Sequence, residues 1–210
     1  MLRKVRRFDQ GPVLGPYSVH CSRHHLTPLA SKEHIAILDE GITAWNEWRR
    51  AHPDLIPDLS STDFTGRNLA GVDFRRTNLA GAYLTVCEMD NALLDEADLS
   101  DANLTGTDLS NATARKAVFR GADLSYATLT LTNLEGADLT DCRMSEAIFF
   151  EARLVGANLT RAYMRETILT GSDLTGADLS EAQLVDTITE GAILPIDTPP
   201  RSTRRRRNGG

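Results

Sequence analysis

Large apolar residues recur every five positions from Leu59 through Phe64, Leu69, Phe74, Leu79 and Leu84 to Leu194, and the spacing never slips. Of the 28 positions in this series only Ala114 and Thr189 are not large and apolar. The residue two places earlier is small: from Val72 to Ala192 all 25 such positions hold Ala, Thr, Ser, Cys or Val, and 16 of them are Ala. A period of five fits neither regular element. On an α-helix each step advances about 500°, so the leucines spiral round the cylinder and no apolar face forms. In a flat strand the same step sends successive leucines to opposite faces. What remains is a short extended piece whose small residue and leucine both point inward, followed by two residues that turn a corner. Stacking such turns buries a continuous core that no single turn can bury alone.

Ahead of the array the periodicity changes. The spacing of Ile35, Leu38, Ile42 and Trp45 predicts one amphipathic helix over 31–52, with Ser31 as its N-cap and His52-Pro53 as its end. Its apolar stripe is expected to lie over the first turn of the array, where core leucines and backbone groups would otherwise face water. Residues 1–30, with Gly11-Pro12 and Gly15-Pro16, read as a mobile basic extension. The division is then 1–30 extension, 31–56 capping helix and linker, 57–196 repeat array, and 197–210 a disordered arginine-rich tail. That tail holds Thr198-Pro199-Pro200, Arg201 and Arg204 to Arg207.

Units such as Ala97-Asp98-Leu99-Ser100-Asp101, Ala102-Asn103-Leu104-Thr105-Gly106 and Ala177-Asp178-Leu179-Ser180-Glu181 resemble the pentapeptide-repeat family, whose units read A(D/N)LXX. The resemblance implies an all-β fold, a right-handed quadrilateral β-helix (a solenoid) with four units per coil. The array would then make about seven coils, roughly 34 Å long at a strand spacing of about 4.8 Å. The stretches Glu33 to Leu38, Ala44 to Arg49 and Pro57 to Ser60 also resemble a leader found ahead of bacterial pentapeptide repeats. With a coil of twenty residues the undersized Ala114 sits one corner before the oversized Phe119, so their volumes should compensate within a layer.

Composition argues against catalysis. All five histidines, His20, His24, His25, His34 and His52, precede the array, which leaves it without imidazole for acid, base or metal chemistry. Cys21, Cys87 and Cys142 stand at no metal-ligand spacing, and Cys87 and Cys142 fall at the small inward position. No metal, cofactor or Gly-rich phosphate loop is expected. No apolar run is long enough to cross a membrane, and a reducing, cytoplasmic setting fits the odd cysteine count.

Function is therefore sought on the outer faces. Residues 57–196 hold 10 Lys/Arg against 22 Asp/Glu, between two basic ends. The twenty-residue rule gathers Asp98, Asp101, Asp138, Asp141, Asp178 and Glu181 on the first face, offset by Arg120 and Arg161. One reading is an acidic stripe; the other is that the residue before each leucine serves the turn. On the fourth face Arg75, Asp95, Arg115 and Glu135 alternate in sign, as a ladder of cross-strand ion pairs would. The third face turns apolar toward the C-terminus, with Leu131, Ile148, Phe150, Ile168 and Ile188, then Ile193 and Ile196 near the end. Contiguous exposed apolar residues mark an interface, so this half of the rod is expected to form a homodimer or to meet another protein. The alternative is that residues 190–205 fold back over it.

The expected function is a non-enzymatic scaffold or interaction module whose protein partner the sequence does not identify. The family resemblance supplies an alternative, a DNA mimic that inhibits gyrase or another type II topoisomerase or protects it from quinolones. Direct nucleic-acid binding is disfavoured, because an acidic body repels phosphate.

Overall fold

The computed structural model describes residues 30–196. Within them the chain winds as a β-helix in which position i pairs in parallel with position i+20. One column runs Asp58, Asn78, Asp98, Val118, Asp138, Asn158, Asp178, and three similar columns start at Asp63, Asn68 and Asp73. Each face contributes a single bridged residue, the one before the inward leucine, so the ladder consists of isolated bridges. Backbone bonds alternate in direction: Leu99 N–H donates to Val118 O at 2.7 Å in the following coil, and Asp98 N–H to Thr77 O at 3.0 Å in the preceding one.

The five-residue unit explains the core. Leu59, Phe64, Leu69 and Phe74 are all at most 1% exposed, and the alanines at the small position are buried from Ala82 to Ala177. Ala114 and Phe119 are both buried. Polar residues at the small position find one recurrent partner. The hydroxyls of Thr107, Thr132, Thr167 and Thr187 donate to the carbonyls of Leu84, Leu109, Met144 and Met164, each 23 residues earlier. Ser172 instead donates to Leu169 O within its own turn, and Thr77 Oγ1 is buried without a partner. Twenty-three residues before it stands Asp54, ahead of the first coil, where no such carbonyl is presented.

Corners are closed by a turn in which the residue three places on donates back, as Thr62 N–H does to Leu59 O at 3.4 Å. The third turn residue adopts positive φ, and 17 such corners hold a residue other than glycine, Lys116 (φ 55°) among them. That conformation costs an L-residue about 1–2 kcal/mol. Lys116→Gly is therefore expected to raise stability by about 0.5–1 kcal/mol, after the added backbone entropy of glycine is subtracted. Gly121→Ala should do the reverse, by about 1–2 kcal/mol, because at φ 71° its new Cβ would also collide with the Asp101 carboxylate. Opposite shifts in thermal denaturation would bear this out; shifts of the same sign would refute it.

The predicted single helix is two. Helix α1 spans Lys32–Asp39 and α2 spans Ile42–Ala51, separated by Gly41 at φ 112° and ψ 166°. Only glycine occupies that backbone region readily, so the helix breaks there even though the apolar spacing runs on across it. Ser31 does cap α1, accepting a hydrogen bond from His34 N–H. Both helices lie against the start of the array. Trp45 is fully buried and meets the Phe74 ring edge-on at 5.6 Å, while its Nε1 donates to Asp73 O at 2.8 Å. Asn46 bonds Gly71 O and Asp73 N–H, and His34 Nδ1 accepts from Asp58 N–H. His34 is thus a structural acceptor. The terminal segments expected to be mobile, including Cys21 and the arginine tail, lie outside the described residues.

Candidate interaction surface

The solenoid lines up residues of equal position in successive coils, so an outward side chain has its neighbour twenty residues away. On the third face Thr128, Ile148, Ile168 and Ile188 form one bridged column. Ile148 and Ile168 are half-buried by their neighbours, whereas Ile188 is 48% exposed. Phe150 (40% exposed) and Leu131 (51% exposed) flank that column and are joined by the hydrogen bond from Leu131 N–H to Phe150 O at 2.9 Å. Leu131, Ile148, Phe150, Ile168 and Ile188 therefore make one apolar strip.

Ile193 does not belong to that strip. It bridges Asp173 in the fourth column, one corner away, and lines a groove at the end of the rod with Leu179, Leu194, Pro195 and Ile196. Residues 190–196 continue the winding and leave Phe150 and Leu131 uncovered by this segment. The remainder of the expected fold-back, 197–205, lies outside the described residues. A second apolar group went unnoticed in the sequence: Tyr83, Val86 and Tyr126 are each more than half exposed. They occupy outward unit positions, which the twenty-residue rule could have picked out.

On the first face the carboxylates do serve the turns. Asp98, Asp138 and Asp178 each accept, through Oδ1, the backbone N–H of the residue two places on, and Asn158 in the same column does so without charge. Asp138 is partly buried, which by itself would raise its pKa. Hydrogen bonds from Thr140 and Arg120 outweigh this and hold it below the usual carboxylate range. Arg161 donates to both oxygens of Asp141 and lowers its pKa likewise. The two arginines thus engage the middle of the acidic column, while Asp101, Asp178 and Glu181 remain exposed.

The alternating ladder on the fourth face forms only in part. Arg115 reaches Glu135 at 3.3 Å, but Asp95 spends its carboxylate on Arg115 N–H and Thr113, and Arg75 pairs with Asp73 inside its own coil. The adjacent carboxylate lies closer to Arg75 than the one a coil away. Burial pushes the thiols of Cys87 and Cys142 up, and both donate to carbonyls of the core, Phe64 O and Phe119 O. Among the described residues there is no group of His, Cys, Asp and Glu fit to hold a metal ion, and no helix long and apolar enough to cross a membrane.

A family model described as pentapeptide repeats matches the chain in 8 copies, over residues 58–95, 87–125, 97–136, 117–154, 127–165 and 152–188. Curated proteins provide no match. Solved structures similar to this chain include HetL from the cyanobacterium Nostoc sp., a protein involved in heterocyst differentiation regulation. It is 23% identical over 72% of this chain and 97% of its own, with a TM-score of 0.30. QnrB1, a plasmid-mediated fluoroquinolone resistance protein, is 20% identical over 64% of this chain and 80% of its own, with a TM-score of 0.22. A pentapeptide repeat protein of the Arabidopsis thaliana thylakoid lumen is 37% identical over 50% of this chain and 66% of its own, with a TM-score of 0.21.

Proposed function

Because this chain belongs to the pentapeptide-repeat family, we propose that it is a non-enzymatic interaction module. In this reading a right-handed solenoid of about seven coils, capped at its start by α1 and α2, offers rigid ladders of side chains to another protein. The observation that carries the reading is the strip of Leu131, Ile148, Phe150, Ile168 and Ile188, an exposed apolar surface on the third face. Such a strip keeps water-exposed hydrocarbon that a partner would cover. Its occupant is a second copy of the chain, joined through the same strip on both molecules as a two-fold interface requires. Ile193 and the terminal groove would extend the contact.

Light scattering tests this with a Phe150→Asp, Ile188→Asp double variant, both side chains being exposed and outside the core. Wild type is expected at the mass of a dimer and the variant at that of a monomer. A monomeric wild type would refute self-association through this face.

DNA mimicry toward a type II topoisomerase is the second reading, and the column Asp98, Asp101, Asp138, Asp141, Asp178 and Glu181 favours it. It is the weaker one, since Arg120 and Arg161 pair with Asp138 and Asp141 and the aspartates before the leucines are committed to turns. A reducing, cytoplasmic location is part of the proposal; the unpaired buried thiols of Cys87 and Cys142 fit it.

A further inference from the structure

Two arginine pairs far apart in sequence, Arg49-Arg50 at the end of α2 and Arg75-Arg76 at a corner of the first coil, meet at the N-terminal end of the rod. With Pro53 and Asp73 they line a half-open cavity of about 360 Å³. Arg49 is only 5% exposed and is fixed by two hydrogen bonds, Nη1 to Leu55 O at 2.9 Å and Nη2 to Arg75 O at 2.7 Å. Its Nε is buried with no hydrogen-bond partner.

The carboxylate in the cavity does not balance this charge. Asp73 is engaged by Arg75, Nε to Oδ1 at 2.8 Å and Nη2 to Oδ2 at 2.5 Å. Arg50 donates through Nε to Asn46 O at 3.2 Å and has as its one ion-pair partner among the described residues the exposed Glu47, at 4.0 Å, and Arg76 has no ion pair among the described residues. Burial lowers the pKa of Arg49, and the like charges of Arg75 and Arg76 add to this against the attraction of Asp73. The carbonyls of Leu55 and Arg75 are occupied by Arg49 and those of Trp48 and Arg49 by His52 N–H, and the one carboxylate in the lining, Asp73, is held by Arg75. A buried cation with an unused donor, surrounded by further cations, is stabilised by an anion.

We propose that this cavity is a binding site for a compact phosphate-bearing anion, with Arg49 as its fixed cation and the exposed Arg50 and Arg76 closing on the ligand from the rim. Guanidinium groups match phosphate oxygens in bidentate geometry, which favours phosphate over a halide. A small ligand is favoured over a nucleic acid, because an extended polyanion would run onto the acidic faces of the array.

The test uses the full chain. Isothermal titration with inorganic phosphate and with phosphoserine is compared at matched ionic strength with chloride and with serine, and thermal denaturation is followed in the same buffers. Wild type is expected to bind phosphate and to melt at higher temperature in it than in chloride. The Arg50→Ala, Arg76→Ala double variant should melt like wild type in chloride, as both side chains are exposed, and bind phosphate at least about tenfold more weakly. Binding of inorganic phosphate without phosphoserine would assign the site to the free ion, and binding of both would open it to a phosphorylated chain. Equal melting in phosphate and chloride, or undiminished binding by the variant, would overturn the proposal.

Discussion

Arginine in place of Leu129 is expected to abolish cooperative unfolding altogether. Leu129 is completely buried at the middle of the array, and its N–H donates to Ile148 O at 2.7 Å in the next coil. The substitution removes a buried leucine, which alone costs about 2–5 kcal/mol when truncated. It also places a charge in a narrow core lined by leucine, alanine and methionine, where no carboxylate is available to pair with it. An uncompensated buried charge costs several kcal/mol more, and the total rivals the whole stability of a domain, about 5–15 kcal/mol. The damage spreads because a solenoid coil has only its two neighbours to lean on; losing a central coil leaves two short stacks, each with a fresh open end. Circular dichroism during heating would show no sigmoidal transition, or the protein would be recovered as aggregate. A soluble variant with the wild-type melting curve would mean that Leu129 does not face inward.

Removal of the Trp45 ring is the second large effect. Trp45→Ala should destabilise the protein by about 3–5 kcal/mol, the range for deleting a fully buried aromatic side chain. The residue fills the space over Phe74, contacts Trp48 at 5.3 Å between ring centroids, and donates to the Asp73 carbonyl. Trp45→Phe separates these contributions. It keeps an aromatic ring against Phe74 and leaves Asp73 O without its indole donor, so about 1–3 kcal/mol should be lost. Chemical denaturation of the three proteins orders them wild type, Phe, Ala. A change below about 1 kcal/mol for alanine would mean that α2 is not part of the cooperative unit.

Arg49 shows where sequence reading fell short at the same end of the molecule. As a charged residue near the end of a helix it is expected on the surface, yet it is buried, because the carbonyls of Leu55 and Arg75 give its guanidinium two partners. Neither carbonyl has any sequence signature. Gly41 is a different kind of failure. Its identity was a usable signal for a break, but the stripe of Ile35, Leu38, Ile42 and Trp45 stays continuous across it.

The sequence by itself determined the repeat unit, the inward set from Leu59 to Leu194, the inert placing of Cys87 and Cys142, and the members of the apolar strip on the third face. It could do so because the direction of each side chain depends on its place within five residues, a local property that strict repetition carries along the whole array. The tertiary structure alone decided that Arg75 turns to Asp73 and not to Asp95, and that four arginines share one cavity. Those outcomes depend on distances between side chains of different coils and between the array and α2, which come into being only when the turns have stacked and the helix has settled on their end.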